Sequence, residues 1–363
     1  MIKTVAATIF IAVLFLIVTD GSASTRKHKE MAQGSFKVNL PEGLYMYKPY
    51  TRSGDLFAAL FVVEKGRLVE PNAFFPKGYR DDPEQFLGKE EAKAFEGFVD
   101  KYVKGNAFNV YAGAEFKGRL SGVEMNLSNF CYTDEFFPDI IGSGKYEGDH
   151  VLVESDEDSS LYIFNTLERE FGALKSTATP LSFERPQTNQ FEVTEDDKAK
   201  AVEAVRRDLL PEASERIQGK LDKENRVIRD ESGSRLNILK AIDIDGNGKK
   251  ELLGIYTINV SHNKEDDKNK IIPARAFSEV LFILWDSGKI EMIFSEEFMT
   301  PAFSLIGLFD IDDDGIHELA IQRFVASLKE PDGGDGRQIV ILRHDPAGWK
   351  AIYSSSWICG DYK

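Results

Sequence analysis

Leu236-Asn237-Ile238-Leu239-Lys240-Ala241-Ile242-Asp243-Ile244-Asp245 recurs without a gap as Phe303-Ser304-Leu305-Ile306-Gly307-Leu308-Phe309-Asp310-Ile311-Asp312, at an offset of 67 residues (310 minus 243). Each copy then opens a second apolar run on Glu-Leu, as Glu251-Leu252-Leu253-Gly254-Ile255-Tyr256 and as Glu318-Leu319-Ala320-Ile321. A polar loop follows in both, Asn263 to Lys270 and Lys329 to Arg337. Then come strand, turn and strand: Val280 to Trp285, Asp286-Ser287-Gly288-Lys289 and Ile290 to Phe294 in the first copy; Gln338 to Arg343, Asp345-Pro346-Ala347-Gly348 and Trp349 to Tyr353 in the second. Self-similarity at a fixed distance means one supersecondary unit used twice. The pattern predicts two antiparallel meanders of about four strands, at about 236–296 and 303–356, within a C-terminal region 227–363. Such a unit cannot bury both faces alone and needs a neighbour to stack on.

Between the first two strands of each copy, oxygen-bearing residues stand at loop positions 1, 3, 5 and 9. They are Asp243, Asp245, Asn247 and Glu251 in the first loop, and Asp310, Asp312, Asp314 and Glu318 in the second. Alternate spacing lets a curled loop aim successive side chains at one centre, and hard oxygen donors in this number suit Ca²⁺. A backbone carbonyl from position 7, Lys249 or Ile316, would complete the ring, and Gly246 and Gly248, or Gly315, let the chain turn tightly. An EF-hand needs its bidentate Glu at position 12, where this chain has Gly254 and Ile321, so that reading fails. Acidic, Gly-rich turns without a metal are the competing interpretation, since Asp, Asn and Gly favour turns anyway. Four carboxylates against three, with Lys249-Lys250 beside the first loop's acid, rank the second loop ahead as a Ca²⁺ site.

The pattern D-x-D-x-[DN]-G-x-x-E-L running into a strand resembles the FG-GAP or VCBS repeats, the calcium-loop blades of integrin-α-like β-propellers. The resemblance covers roughly residues 234–357. It implies a propeller-type blade that holds Ca²⁺ in the turn between two strands, serves rigidity, and often displays a ligand or adheres outside the cytoplasm. Propellers need four to eight blades and two copies are found here, so pairing of sheet edges between chains in a homo-oligomer is one expected remedy.

The rest of the chain reads as β with a few helices, an α+β fold class. Residues 36–180 form an expected β-rich N-terminal domain. Its apolar runs lie around Leu44 to Tyr47, Leu56 to Val63 and Val151 to Phe164. Two hairpins are predicted: Phe57 to Val63 with Arg67 to Val69 about Glu64-Lys65-Gly66, and Ala107 to Phe116 with Arg119 to Leu127 about Lys117-Gly118. A helix at about Lys89 to Val103 places Ala92, Phe95, Phe98, Val99 and Tyr102 on one face. Thr177 to Asn189, with Pro180 and Pro186, has linker composition, and a helical connector is expected over 190–222. It starts at Thr194 with Asp197 as a capping box and resumes after Pro211 as Glu212 to Leu221.

Lys3, the apolar run Val5 to Val18 and the small residues Gly21, Ser22 and Ala23 have the layout of a secretory signal over residues 1–23. The basic cluster Arg26, Lys27, His28 and Lys29 leaves an uncleaved N-terminal anchor as the alternative. The expected location is periplasmic or secreted. With 45 Lys and Arg against 60 Asp and Glu, the formal charge of -15 repels phosphate backbones, which argues against a nucleic-acid partner. Cys131 and Cys359 permit one long-range disulfide and exclude a zinc knuckle.

No H-E-x-x-H, G-x-S-x-G or G-x-G-x-x-G after a strand occurs. Gly142-Ser143-Gly144-Lys145 ends in Tyr146 where a P-loop needs Ser or Thr, and reads as a turn. Asp149-His150, Glu154, Asp156 and Asp158 read as a charged hairpin before they read as an acid–base pair, and His317, at loop position 8, as a solvated side chain. The expectation is a non-enzymatic calcium-binding scaffold or binding protein whose N-terminal domain meets a protein or glycan ligand. A secreted hydrolase with its active site in the N-terminal domain, or a purely structural envelope protein, is the rival.

Overall fold

The computed structural model describes residues 38–47, 57–74, 89–112, 115–127, 140–148, 163–165, 191–221, 227–228, 233–265, 271–297, 302–326 and 335–359. In chain order the N-terminal elements are β1 (Gly43–Tyr47), β2 (Phe57–Glu64), β3 (Arg67–Val69), α1 (Lys89–Tyr102), β4 (Phe108–Ala112), β5 (Glu115–Leu127), β6 (Ile140–Gly148) and β7 (Ile163–Asn165). Helices α2 (Glu195–Ala204) and α3 (Leu210–Lys220) follow, joined by a π-helical turn at Val205–Leu209, and then the two-residue strand β8 (Val227–Ile228). The first repeat is β9 (Arg235–Ile242), β10 (Glu251–Glu265), β11 (Ile271–Leu284) and β12 (Ile290–Glu297). The second is β13 (Phe303–Phe309), β14 (Glu318–Ala326), β15 (Asp335–Asp345) and β16 (Gly348–Ser354), with β17 (Ile358–Cys359) behind it. The molecule is thus mainly β with a few helices, and its sheets are antiparallel.

Each repeat is the four-stranded meander that its sequence predicts, in the order β12-β11-β10-β9 and β16-β15-β14-β13. Their strands are apolar on both faces, because each sheet lies between two other layers. Leu253, Ile255, Leu281 and Ile283 face the second repeat, while Leu252, Tyr256, Phe282 and Leu284 face α2 and α3. In the second repeat Leu319, Ile321, Val340 and Leu342 face the first, while Ala320, Ile339 and Ile341 face the N-terminal sheet. Around the loops, residues related by the repeat point one layer onward: Ile242 into the core between the repeats, and its counterpart Phe309 into the core against β1 and β2. The stacking is head to tail, with a helical cap at one end.

The N-terminal sheet supplies the layer at the other end. Strand β1 pairs with both β2 and β7, and the chain of pairings β7-β4-β5-β6-β2 closes the sheet on itself, with β3 on the β2 edge. Period-2 alternation, shifted by one residue at an irregularity at Leu60, then sorts the side chains. Leu44, Met46, Phe57, Ala59 and Val62 turn inward onto Phe98, Tyr102 and Val103 of the α1 region, and Tyr45, Tyr47, Ala58, Leu60 and Phe61 turn outward onto the second repeat. Phe61 meets Tyr45 at 4.8 Å, Tyr353 at 6.1 Å and Phe309 at 6.5 Å between ring centroids. Residues Phe36–Lys363 form one compact unit. The linker 177–189 and residues 151–162 of the third apolar run lie outside the described residues.

Two glycine-based expectations are corrected. Gly118 lies within β5 opposite Val110, and the pairing of β4 with β5 runs up to Ala112 opposite Glu115. A Cβ at Gly118 would sit 2.5 Å from the Glu147 carbonyl oxygen, so this glycine serves close strand approach. Gly142 to Lys145 lie in β6 rather than in a turn, and a Cβ at Gly144 would press on Val123 and Leu120 at 3.1 and 3.2 Å. The capping box at the start of α2 forms as read, with Thr194 Oγ1 accepting from the Asp197 N–H.

Candidate metal centres

Residues 243–250 join β9 to β10 and residues 310–317 join β13 to β14, so both loops lie at one end of the sheet stack. Their backbones fold alike. The N–H of Ile244 donates to Glu251 Oε2 at 3.1 Å, and that of Ile311 to Glu318 Oε2 at 2.8 Å. Gly248 donates to Asp243 Oδ2 at 2.8 Å as Gly315 does to Asp310 Oδ2 at 2.9 Å. Lys249 donates to Asn247 Oδ1 at 2.7 Å as Ile316 does to Asp314 Oδ1 at 2.9 Å. These three pairs of bonds are related by the same 67 residues. Positions 4 and 6 must be left-handed: φ is 71° at Gly246 and 63° at Asp313, and 78° at Gly248 and 83° at Gly315. Aspartate is among the few residues besides glycine that visit this region.

The two loops also touch. His317 donates its backbone N–H to the Ile244 carbonyl at 3.0 Å, and a Cβ on Gly246 would lie 2.5 Å from the Gly315 carbonyl oxygen. One layer further, Asn39 donates its backbone N–H to the Ile311 carbonyl at 2.8 Å, which is the repeat-related contact. This packing buries His317, correcting the expectation of a solvated side chain.

In the first loop Asp243, Asp245 and Glu251 offer oxygens that all lie within 4.8 Å of one another. Oxygens bound to one Ca²⁺ at about 2.4 Å can be no farther apart than about twice that distance. Glu251 is fully buried; its Oε2 takes the Ile244 N–H, and its Oε1 has no hydrogen-bond partner among the described residues. Burial first, and then the charges of Asp245 and Asp243, push the Glu251 carboxyl up to about 7 against the pull of the Ile244 N–H. Both lysines that weighed against this loop are drawn away from it, Lys249 Nζ to Asp286 Oδ2 at 2.6 Å and Lys250 Nζ to Asp197 Oδ2 at 2.7 Å. Asn247 is exposed and leans on Asp245, its Nδ2 donating to Oδ2 at 2.8 Å. A buried acceptor with no donor and a set of hard oxygens around it make a donor set that fits a divalent cation.

The second loop gathers Asp310, Asp312 and Asp314 within the same 4.8 Å, with Glu318 fully buried beneath. Here a side chain absent from the sequence reading enters. Arg343 pairs through Nη1 with Asp312 and through Nη2 with Asp314, and Nη1 lies 3.4 Å from Glu318 Oε1. Burial raises the Glu318 carboxyl to about 8, with Asp312 adding to the rise and Arg343 opposing it. The partner position follows from strand register. Leu319 faces Leu342, which puts Arg343 across from Glu318; Leu252 faces Leu284, which puts Trp285 across from Glu251. The loop motif ends at the Glu-Leu and carries no information about this facing residue. Extending the alignment into the third strand would have paired Arg343 with Trp285.

Asp149, His150, Glu154, Asp156, Asp158 and Cys131 lie outside the described residues, as do residues 1–37 with the signal-like run. Among the described residues no helix is long and apolar enough to cross a membrane. Comparison of the chain with protein families, with curated proteins and with solved structures finds no match in any of the three.

Proposed function

We propose that this is an exported, calcium-binding, non-enzymatic scaffold or binding protein whose FG-GAP/VCBS-like layers are made rigid by Ca²⁺ in the Asp243–Glu251 loop. The observation that carries the reading is the buried Glu251 Oε1, which lacks a donor among the described residues and converges with Asp243 and Asp245. A divalent ion there removes the repulsion among three carboxylates and ties the end of β9 to the start of β10. Through the Ile244–His317 contact the same ion braces the second repeat. The protein or glycan ligand then belongs to the surface that this stack presents. Among the described residues of the N-terminal sheet and α1, the cavity of about 650 Å³ between α1 and β5 is lined by Lys104, Asn106, Ser121 and Asn126 with Glu124 as its one carboxylate, and so lacks the paired carboxylates of the hydrolase alternative.

Thermal melts of the protein in calcium and in chelator test the proposal. Calcium is expected to raise the midpoint by several degrees, and Asp243→Asn to abolish that rise. An unchanged wild-type midpoint sinks the reading.

A further inference from the structure

We infer that Arg343 is the resident cation of the second loop, so that the Asp310–Glu318 loop is held together by its own guanidinium and takes no Ca²⁺. The inference borrows from the proposed function only the ion, since it concerns which loop is left for calcium to fill.

Three observations carry it. The guanidinium reaches Asp312, Asp314 and Glu318 at once, which are the carboxylates of loop positions 3, 5 and 9. Those are the positions whose counterparts in the first loop, Asp245, Asn247 and Glu251, face no cation from the third strand, because Trp285 stands where Arg343 does. A planar fork with several N–H donors spans neighbouring carboxylates in a way a lysine cannot, and it stays charged at any physiological pH. Finally, the loop so closed is the one that carries the N-terminal layer: Asn39 donates its backbone N–H to the Ile311 carbonyl at 2.8 Å and its Nδ2 to the Asp312 carbonyl at 2.7 Å. The junction between the N-terminal sheet and the second repeat is thereby fixed without calcium, and calcium responsiveness is confined to the junction between the repeats.

The test counts Ca²⁺ bound per full-length chain by native mass spectrometry, with Ca²⁺ as the only ligand. One ion is expected on the wild type and two on Arg343→Gln. Two ions on the wild type, or equal counts on both proteins, overturn the inference. No ion on the wild type but one on Arg343→Gln upholds it while removing the first-loop reading, so the two failures are distinguishable. Because Arg343→Gln leaves four carboxylates uncompensated, it is folded and counted in calcium. Asp314→Asn is the independent check: it removes one partner of Arg343 while keeping the Oδ1 acceptor for Ile316, and it should retain the wild-type count. A lost ion there overturns the inference.

Discussion

The Asp243–Glu251 and Asp310–Glu318 loops share spacing, left-handed turns and three backbone hydrogen bonds, yet they meet their negative charge in different ways. In the first, both nearby lysines are spent on Asp286 and Asp197, and a buried glutamate oxygen is left without a donor among the described residues. In the second, an arginine on the facing strand spans the acids. Counting carboxylates along the loop ranks the second ahead as an ion site; including the facing strand reverses the order we propose. The chemistry of such a loop is therefore set by four or five residues of one segment together with one residue that only sheet register brings opposite.

The largest expected effect concerns the layers that the loops brace. Phe309 and its counterpart Ile242 occupy equivalent places, the first packed on Phe61 of the N-terminal sheet and the second on the other repeat. Phe309→Ala should cost about 3–5 kcal/mol in chemical denaturation, as for a large buried aromatic, and should loosen the N-terminal sheet from the repeats. A cost under about 1 kcal/mol would mean that the head-to-tail stack is not a single cooperative core.

A smaller effect separates the two loops at their contact. Gly246 and Gly315 both have positive φ, so alanine at either should cost about 1–2 kcal/mol from backbone strain. Only at Gly246 does the new Cβ also meet a carbonyl oxygen, at 2.5 Å, whereas at Gly315 nothing lies within 4 Å. Gly246→Ala is thus expected to be clearly the more damaging of the pair by thermal melt. Equal losses would show that the loops do not lean on each other.

How far the sequence could lead is visible in the same residues. The repeat, its turns and the continuous apolar runs of β10, β11, β14 and β15 follow from local pattern, because both faces of each sheet are buried and the turn residues are specific. The layer formed by β1 and β2 was not legible, since it shares no loop motif with the repeats and resembles them only in where Asn39 bonds. The faces that a repeat cannot bury alone are covered by the chain itself, with α2 and α3 on one side and the N-terminal sheet on the other. Arg343 escaped notice for a related reason, in that its role depends on pairing between strands about 25 residues apart in sequence (343 minus 318).

The comparison extends to loop position 8, where the first loop has Lys250 and the second His317 (317 minus 250 is again 67). His317 binds back to the first repeat through its backbone, but the first repeat has only helices before it, and Lys250 reaches Asp197 at the start of α2 instead. Burial works to raise the Asp197 carboxyl, yet Lys250 together with the N–H and hydroxyl of Thr194 lowers it from 3.8 to about 2. A carboxyl depressed in the folded state contributes stability above its unfolded value near 4, and loses it as the pH falls toward 2. Asp197→Asn should therefore be less stable than wild type by about 1 kcal/mol, the usual worth of a helix cap, at pH 6. The gap between the two proteins should close between pH 4 and pH 2 in acid denaturation. No gap at pH 6 would show that the helical cap is held by packing against Ala241 and Leu252 alone, and that position 8 does not tie the first loop to the end of the stack.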